Sequence, residues 1–325
     1  MSRIQKYKES LYRFIKDKSC FMKNNNEEIN NFIYDKIKNN DLIYSILLLT
    51  IMNNQNKKNH ITMQGYYIAT TMELLNVLMY YMENKNECKK YDYKIFTSLL
   101  IYADKSLQQN LESIKNSYGV QYQNYINMFI NCMNIYNNSL MELNTFNDFK
   151  FVLTNKECNQ DVIKWYLKKD NALIDKFKTF KQIDKESFNN YIKQKYGLLC
   201  ELSITLGWVV GGGEVKSIKK LKKLSDYFAT MYKIANDFEN LTKDINKNTD
   251  FTSNYILNYG LQDAYETFMD SKQSFIEESM IEDIYTNTIK EIIDDIEANV
   301  DTIIDQTSPD LKSSYTTQSS KKKKQ

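Results

Sequence analysis

The chain has 325 residues, 42% of them hydrophobic, and a formal net charge of +2. That provides core for one large or two ordinary domains, but no global field for nucleic acid, so no nucleic-acid partner is expected. A single proline and only eight glycines leave turn and strand punctuation scarce, which argues for an all-α fold.

Cys20, Cys88, Cys132, Cys158 and Cys200 follow no CxxC spacing, and His60 is the only histidine. This excludes a standard zinc site and histidine-based catalysis, and it points to reduced thiols in a cytoplasmic compartment. No secretory signal is read. The longest apolar run, Leu42 to Met52, is too short to span a bilayer, so no transmembrane segment is expected. Lysine is abundant, whereas arginine occurs only as Arg3 and Arg13; heavy use of Asn and Tyr suggests an AT-rich genome.

Residues 1–20 place Ile4, Tyr7, Leu11, Phe14 and Ile15 on one helical face. That pattern fits a terminal helix packed on a bundle or a basic helix lying on a membrane. Asn24 to Asn26 make a loop, and 28–38 and 41–53 read as two helices. A polar loop at 53–60 precedes a helix from Met63 to Glu87. Its apolar stripe is Ile68, Met72, Leu75, Met79 and Met82; Glu73, Asn76, Tyr80, Glu83 and Glu87 fall on another face. Residues 95–118 and 121–145 read as further helices. Residues 146–185 read as an insertion with one or two helices, including Val162 to Leu173.

Five of the eight glycines fall between Gly197 and Gly213. Ile218, Leu221, Leu224, Phe228, Met231, Ala235 and Phe238 then mark one helix face. Lys233, Asn236, Asp237, Asn240 and Asp244 take the opposite face, which either meets solvent or lines a cavity. Residues 254–306 continue as helices, with Asp294 and Asp295 on a solvated face. From Thr307 the chain lacks an apolar period and ends in a lysine run, so 1–306 reads as one α domain and 307–325 as a disordered tail.

Residues 195–244, with Asn254 to Glu266 after them, resemble the trans-isoprenyl diphosphate synthases. The family pattern runs KTG, an apolar helix ending in a glycine-rich turn, then FQ and DDxxD. Lys195-Tyr196-Gly197 stands at KTG, Gly211-Gly212-Gly213 at the turn, Tyr232-Lys233 at FQ, and Asn236 to Asn240 at DDxxD. Upstream, Glu73 and Asn76 stand at the family's E-x-x-H, and Glu83 to Glu87 at its first DDxxD. Lys38 to Tyr44 match its Gly-Lys-x-Arg-Pro element, but no Arg is present and Asp41 has the wrong sign for gripping a diphosphate. The family's Arg-Arg-Gly after the first motif is missing. Ser139 to Leu143 stand weakly at its GQxxDL. The divergence is similar to that of homologues carried by large DNA viruses.

The resemblance implies a helical bundle around a central cavity, with Mg²⁺ ions gripping an allylic diphosphate that isopentenyl diphosphate attacks. By analogy Glu83, Glu87, Asn236 and Asp237 are the metal ligands and Lys195 contacts diphosphate. Lys233 and Lys247 (or Lys243) are further substrate contacts, and Leu78 and Met79 stand where the family sets product length. Asn236, Asn240 and Asp244 also loosely resemble the NSE/DTE metal triad of class I terpene synthases. So many departures imply weakened or lost catalysis, and a pseudoenzyme or regulatory subunit, a homodimer or a heterodimer with a catalytic homologue. The alternatives are active Mg²⁺-dependent chain elongation on isoprenoid diphosphates and a terpene-synthase-like activity. Mg²⁺ is the expected cofactor if the chain is active, and none otherwise.

Overall fold

A computed structural model describes residues 2–23, 26–55, 62–83, 92–118, 130–131, 133–142, 149–158, 180–245 and 252–307. His60, Lys85, Glu87, Lys89, Lys247, Val162 to Leu173 and the tail beyond Thr307 lie outside the described residues. The chain divides into two compact units. The first comprises Met1–Asn147, Gly197–Ser225 and Met280–Lys290; the second comprises Asp148–Tyr196, Asp226–Ser279 and Glu291–Gln325.

The first unit is helical among the described residues. It holds α1 (Arg3–Lys18), α2 (Glu27–Lys38), α3 (Ile43–Gln55), α4 (Thr62–Glu83), α5 (Asp92–Tyr118) and a helical stretch at 133–142. The sequence expectations for these helices hold to within a few residues where they are described. α3 is buried from Ile43 to Met52, which is why its sequence reads as one apolar run with no polar face. The basic first helix packs on the bundle: Ile4, Leu11, Phe14 and Ile15 are buried. Phe14 stacks on Tyr66 with ring centroids 5.5 Å apart and meets the edge of Tyr67 at 4.8 Å.

The glycines after position 197 serve close packing and one turn. α7 (Leu198–Val210) lies against α3. A Cβ at Gly207 would stand 2.7 Å from the Leu48 carbonyl oxygen, and one at Gly211 2.7 Å from that of Met52. Only a residue without a side chain permits that approach. Gly212, at φ 91°, takes the left-handed conformation that ends α7. The Gly212 and Gly213 N–H groups then donate to the carbonyls of Val209 and Trp208, the Schellman arrangement.

The second unit contains the only described strands, β1 (Leu153–Glu157) and β2 (Lys181–Ile183), paired antiparallel. They lie in the segment read from sequence as an insertion with one or two helices, whose helix from Val162 to Leu173 lies outside the described residues. β1 is mostly exposed and so carries no alternation to read. α6 (Lys185–Ile192) follows, capped by the Asp184 carboxylate, which accepts from Ser187 N–H at 3.1 Å. α8 (Ile218–Glu239), which enters the second unit at Asp226, α9 (Leu241–Ile245), α10 (Tyr255–Tyr259), α11 (Leu261–Ile281), nearly all within it, and α12 (Asn287–Thr307), which enters it at Glu291, complete the helices. Asn258 fastens α10 to β2: its Oδ1 accepts from Ile183 N–H at 2.8 Å and its carbonyl from Gln182 Nε2 at 2.7 Å. No described helix is long and apolar enough to cross a membrane.

Gly207→Ala is expected to destabilise the protein by about 1–3 kcal/mol, because the added methyl forces α7 away from the α3 backbone. Urea unfolding followed by circular dichroism measures this.

Candidate functional site

The apolar stripe of α8 is buried as expected at Leu221, Leu224, Phe228, Met231, Ala235 and Phe238. Its polar face departs from the solvated reading. Lys233 is 3% exposed and Asp237 4%. One turn apart, they form an ion pair, with Lys233 Nζ donating to Asp237 Oδ1.

The cover comes from the segment leading into α10. Lys233 Nζ also donates to the Ser253 carbonyl at 2.9 Å, and Asp237 Oδ2 accepts the Tyr255 N–H at 2.8 Å. Asn254 Nδ2 donates to the Asp237 carbonyl at 2.9 Å and to Asp244 Oδ2 at 3.1 Å. The Asn254 Oδ1 atom caps α10 by accepting from the N–H groups of Ile256 and Leu257. Burial raises the Asp237 carboxyl above its usual range, while the Lys233 ammonium and the Tyr255 N–H pull the other way.

Three aromatic rings also approach Lys233, forming an aromatic wall. The ring centroids of Phe188, Tyr191 and Tyr196 lie 5.6, 5.9 and 5.8 Å from its Nζ. Lys195 meets the same wall. It sits in a π-helical turn, Lys193–Gly197, a distortion frequent at functional sites. Its Nζ donates to Tyr191 Oη at 3.2 Å and lies 4.7 Å from the Tyr196 ring centroid. Nearby, Lys185 is held between the rings of Tyr255 and Tyr259, at 4.5 and 4.2 Å, and pairs with Asp263 at 2.6 Å. Sequence reading missed Lys185, Ser253 and the aromatic wall; only the i, i+4 spacing of Lys233 and Asp237 signalled the pair.

The second unit therefore brings together Lys195, Lys233, Asp237 and Asp244. Asn240, half-buried, donates from Nδ2 to the Asn236 carbonyl at 2.9 Å. Of the remaining candidates, Leu78 and Met79 are buried in α4 of the first unit. Glu83 is the last residue of that helix; its side chain, Glu87 and Lys247 lie outside the described residues.

The donor set of the second motif does not fit Mg²⁺. Mg²⁺ requires near-octahedral oxygen coordination, anchored by free carboxylates. Here Asp237 is held by an ammonium and a backbone N–H, the motif's first and last positions, Asn236 and Asn240, are amides, and its other carboxylate, Glu239, is exposed. Among the described residues no group of three or more His, Cys, Asp or Glu converges on a metal position.

The first unit has its own buried polar group. Glu73 is fully buried; Ser45 donates to its Oε1, Asn76 also bonds to it, and its Oε2 has no hydrogen-bond partner among the described residues. Burial, with Asp41 adding repulsion, pushes its carboxyl up to about 7. The expected E-x-x-H pair is thus a closed Glu73–Asn76 contact inside the bundle.

No protein-family model matches the sequence, and no curated protein matches it significantly. Solved structures do match. Geranyltranstransferase from Thermotoga maritima superposes with a TM-score of 0.59 at 12% identity, covering 93% of this chain and 100% of that one. An FPP/GFPP synthase from Zymomonas mobilis gives 0.57 at 9% identity, covering 91% and 97%. The geranyltransferase of Helicobacter pylori, complexed with magnesium and isoprenyl diphosphate, gives 0.52 at 11% identity, covering 94% and 98%. The chain has the all-α fold of these prenyltransferases.

Two outcomes are expected from this geometry. Lys233→Met strands the buried Asp237 carboxylate and should destabilise the protein by about 3–5 kcal/mol, whereas Lys233→Met with Asp237→Leu regains much of the loss in a double-mutant cycle. Glu73 keeps its proton in the folded protein up to about pH 7 but loses it near 4.5 when unfolded. The folded state then binds more protons between those values, so stability should fall as pH rises from 4.5 to 7, by at most about 3 kcal/mol. Denaturant midpoints across that range measure the slope, which Glu73→Gln should flatten.

Proposed function

We propose that the chain is a divergent relative of the trans-isoprenyl diphosphate synthases in which metal-dependent catalysis is lost. It acts in the cytoplasm as a pseudoenzyme or regulatory subunit, as a homodimer or paired with a catalytic homologue. The fold likeness and the ordered motifs from Lys195 to Glu266 support the family. The observation that carries the loss of catalysis is the Lys233–Asp237 pair. It sequesters the carboxylate that the second aspartate-rich motif would need.

The chemistry explains why one occupied carboxylate matters. Ionising an allylic diphosphate concentrates negative charge on the leaving group, and metal ions and cationic side chains must stabilise it. Both arginines of the chain lie on α1. Lys195 is engaged with Tyr191 and Tyr196. Chain elongation would need Asp237 released from Lys233. A terpene-synthase-like triad would need Asn240 and Asp244 released from Asn236 and Asn254. Three described cysteines, Cys20, Cys158 and Cys200, are free thiols, in keeping with a reducing compartment.

Calorimetric titration with an allylic diphosphate, with and without Mg²⁺, tests this reading. The expected result is no Mg²⁺-dependent binding and no product with isopentenyl diphosphate. Micromolar Mg²⁺-dependent binding followed by turnover would sink the loss of catalysis and restore the elongase reading.

A further inference from the structure

We propose that the second acidic segment carries its own cation: the Lys233 ammonium stands in for a bound metal, within a shell selective for ammonium groups. The displaced metal rests on the family reading above; the displacing group rests on the ion pair itself.

The shell has two kinds of wall. Asp237 Oδ1 and the Ser253 carbonyl accept from Lys233 Nζ. Phe188, Tyr191 and Tyr196 present rings at 5.6 to 5.9 Å. An ammonium has three donors and is attracted to aromatic faces, so the oxygens and the rings together satisfy it. Mg²⁺ needs about six oxygens at about 2.1 Å and holds its waters tightly. Aromatic carbons supply no ligands, and Lys233 is only 3% exposed. The same three rings that suit the lysine would leave a divalent cation half-coordinated.

The position also fastens a loop. Ser253 and Tyr255 reach the pair from one segment, through the carbonyl of the first and the N–H of the second. Asn254, between them, holds Asp237 and Asp244 while capping α10. Losing the cation therefore loosens the 252–255 segment from α8, whereas losing a divalent metal from solution does nothing.

The test is rescue of a truncated side chain. Lys233→Ala removes the ammonium and leaves space for a small amine. Its thermal midpoint should lie well below that of the wild type and rise with millimolar n-propylammonium chloride, but not with MnCl₂. The wild type should respond to neither, in EDTA or in excess Mn²⁺. Recovery with Mn²⁺ instead of the amine would overturn the proposal in favour of a metal-type shell. Recovery with neither would overturn it in favour of packing alone. Should Lys233→Ala not fold, the wild type decides: a Mn²⁺-induced rise that Asp237→Asn removes rejects the proposal, and indifference to EDTA and Mn²⁺ supports it. Diphosphate binding by the wild type would defeat the proposed loss of catalysis but leave an amine-rescued Lys233→Ala standing, so the two readings fail separately.

Discussion

A dehydrated charge pair sets the terms for the second unit. Lys233 and Asp237 are both almost wholly withdrawn from water, and each lost hydration worth several kcal/mol on entering the interior. Their mutual attraction offsets that only if the remaining donors and acceptors are also met. The surrounding structure meets them: a carbonyl and a backbone N–H from 253–255, and three aromatic faces from α6 and the π-helical turn. Breaking the pair leaves a buried charge without an answer. Substitutions in the segment before α10 therefore act on α8 as much as on their own loop.

The first unit solves a different problem. Its central helix α3 has no polar face, so neighbouring helices must enclose it on every side. Glycine provides the closest approach, with α7 resting on the α3 backbone at Gly207 and Gly211. A carboxyl nonetheless sits in this interior. Glu73 is tolerated there because Ser45 and Asn76 supply hydrogen bonds and because a protonated carboxyl avoids the full penalty of a buried charge. The two units thus bury acids by opposite means, one by pairing and the other by protonation.

Both devices occupy positions that a motif reading assigns to ligand binding. Glu73 and Asn76 stand at an E-x-x-H and bond to each other. Lys233 and Asp237 stand at FQ and at the second residue of DDxxD, and bond to each other as well. In each case a polar residue that could face a ligand finds its partner within the protein.

The scarcity of proline and glycine pointed to the all-α class, and periodicity determined the buried stripes of α4 and α8, because a spacing of three or four fixes which residues share a helix face. The glycine run likewise fixed the turn after α7, since a left-handed residue there calls for glycine. Which polar residues of α8 meet water was decided only in three dimensions. The spacing of Lys233 and Asp237 was legible, but their burial depends on Ser253 and Tyr255, many residues away, folding over them. The β1–β2 pair was also beyond the sequence. Leu153 to Glu157 is polar and exposed, and its strand form comes from the partner it finds at Lys181 to Ile183 rather than from its own pattern.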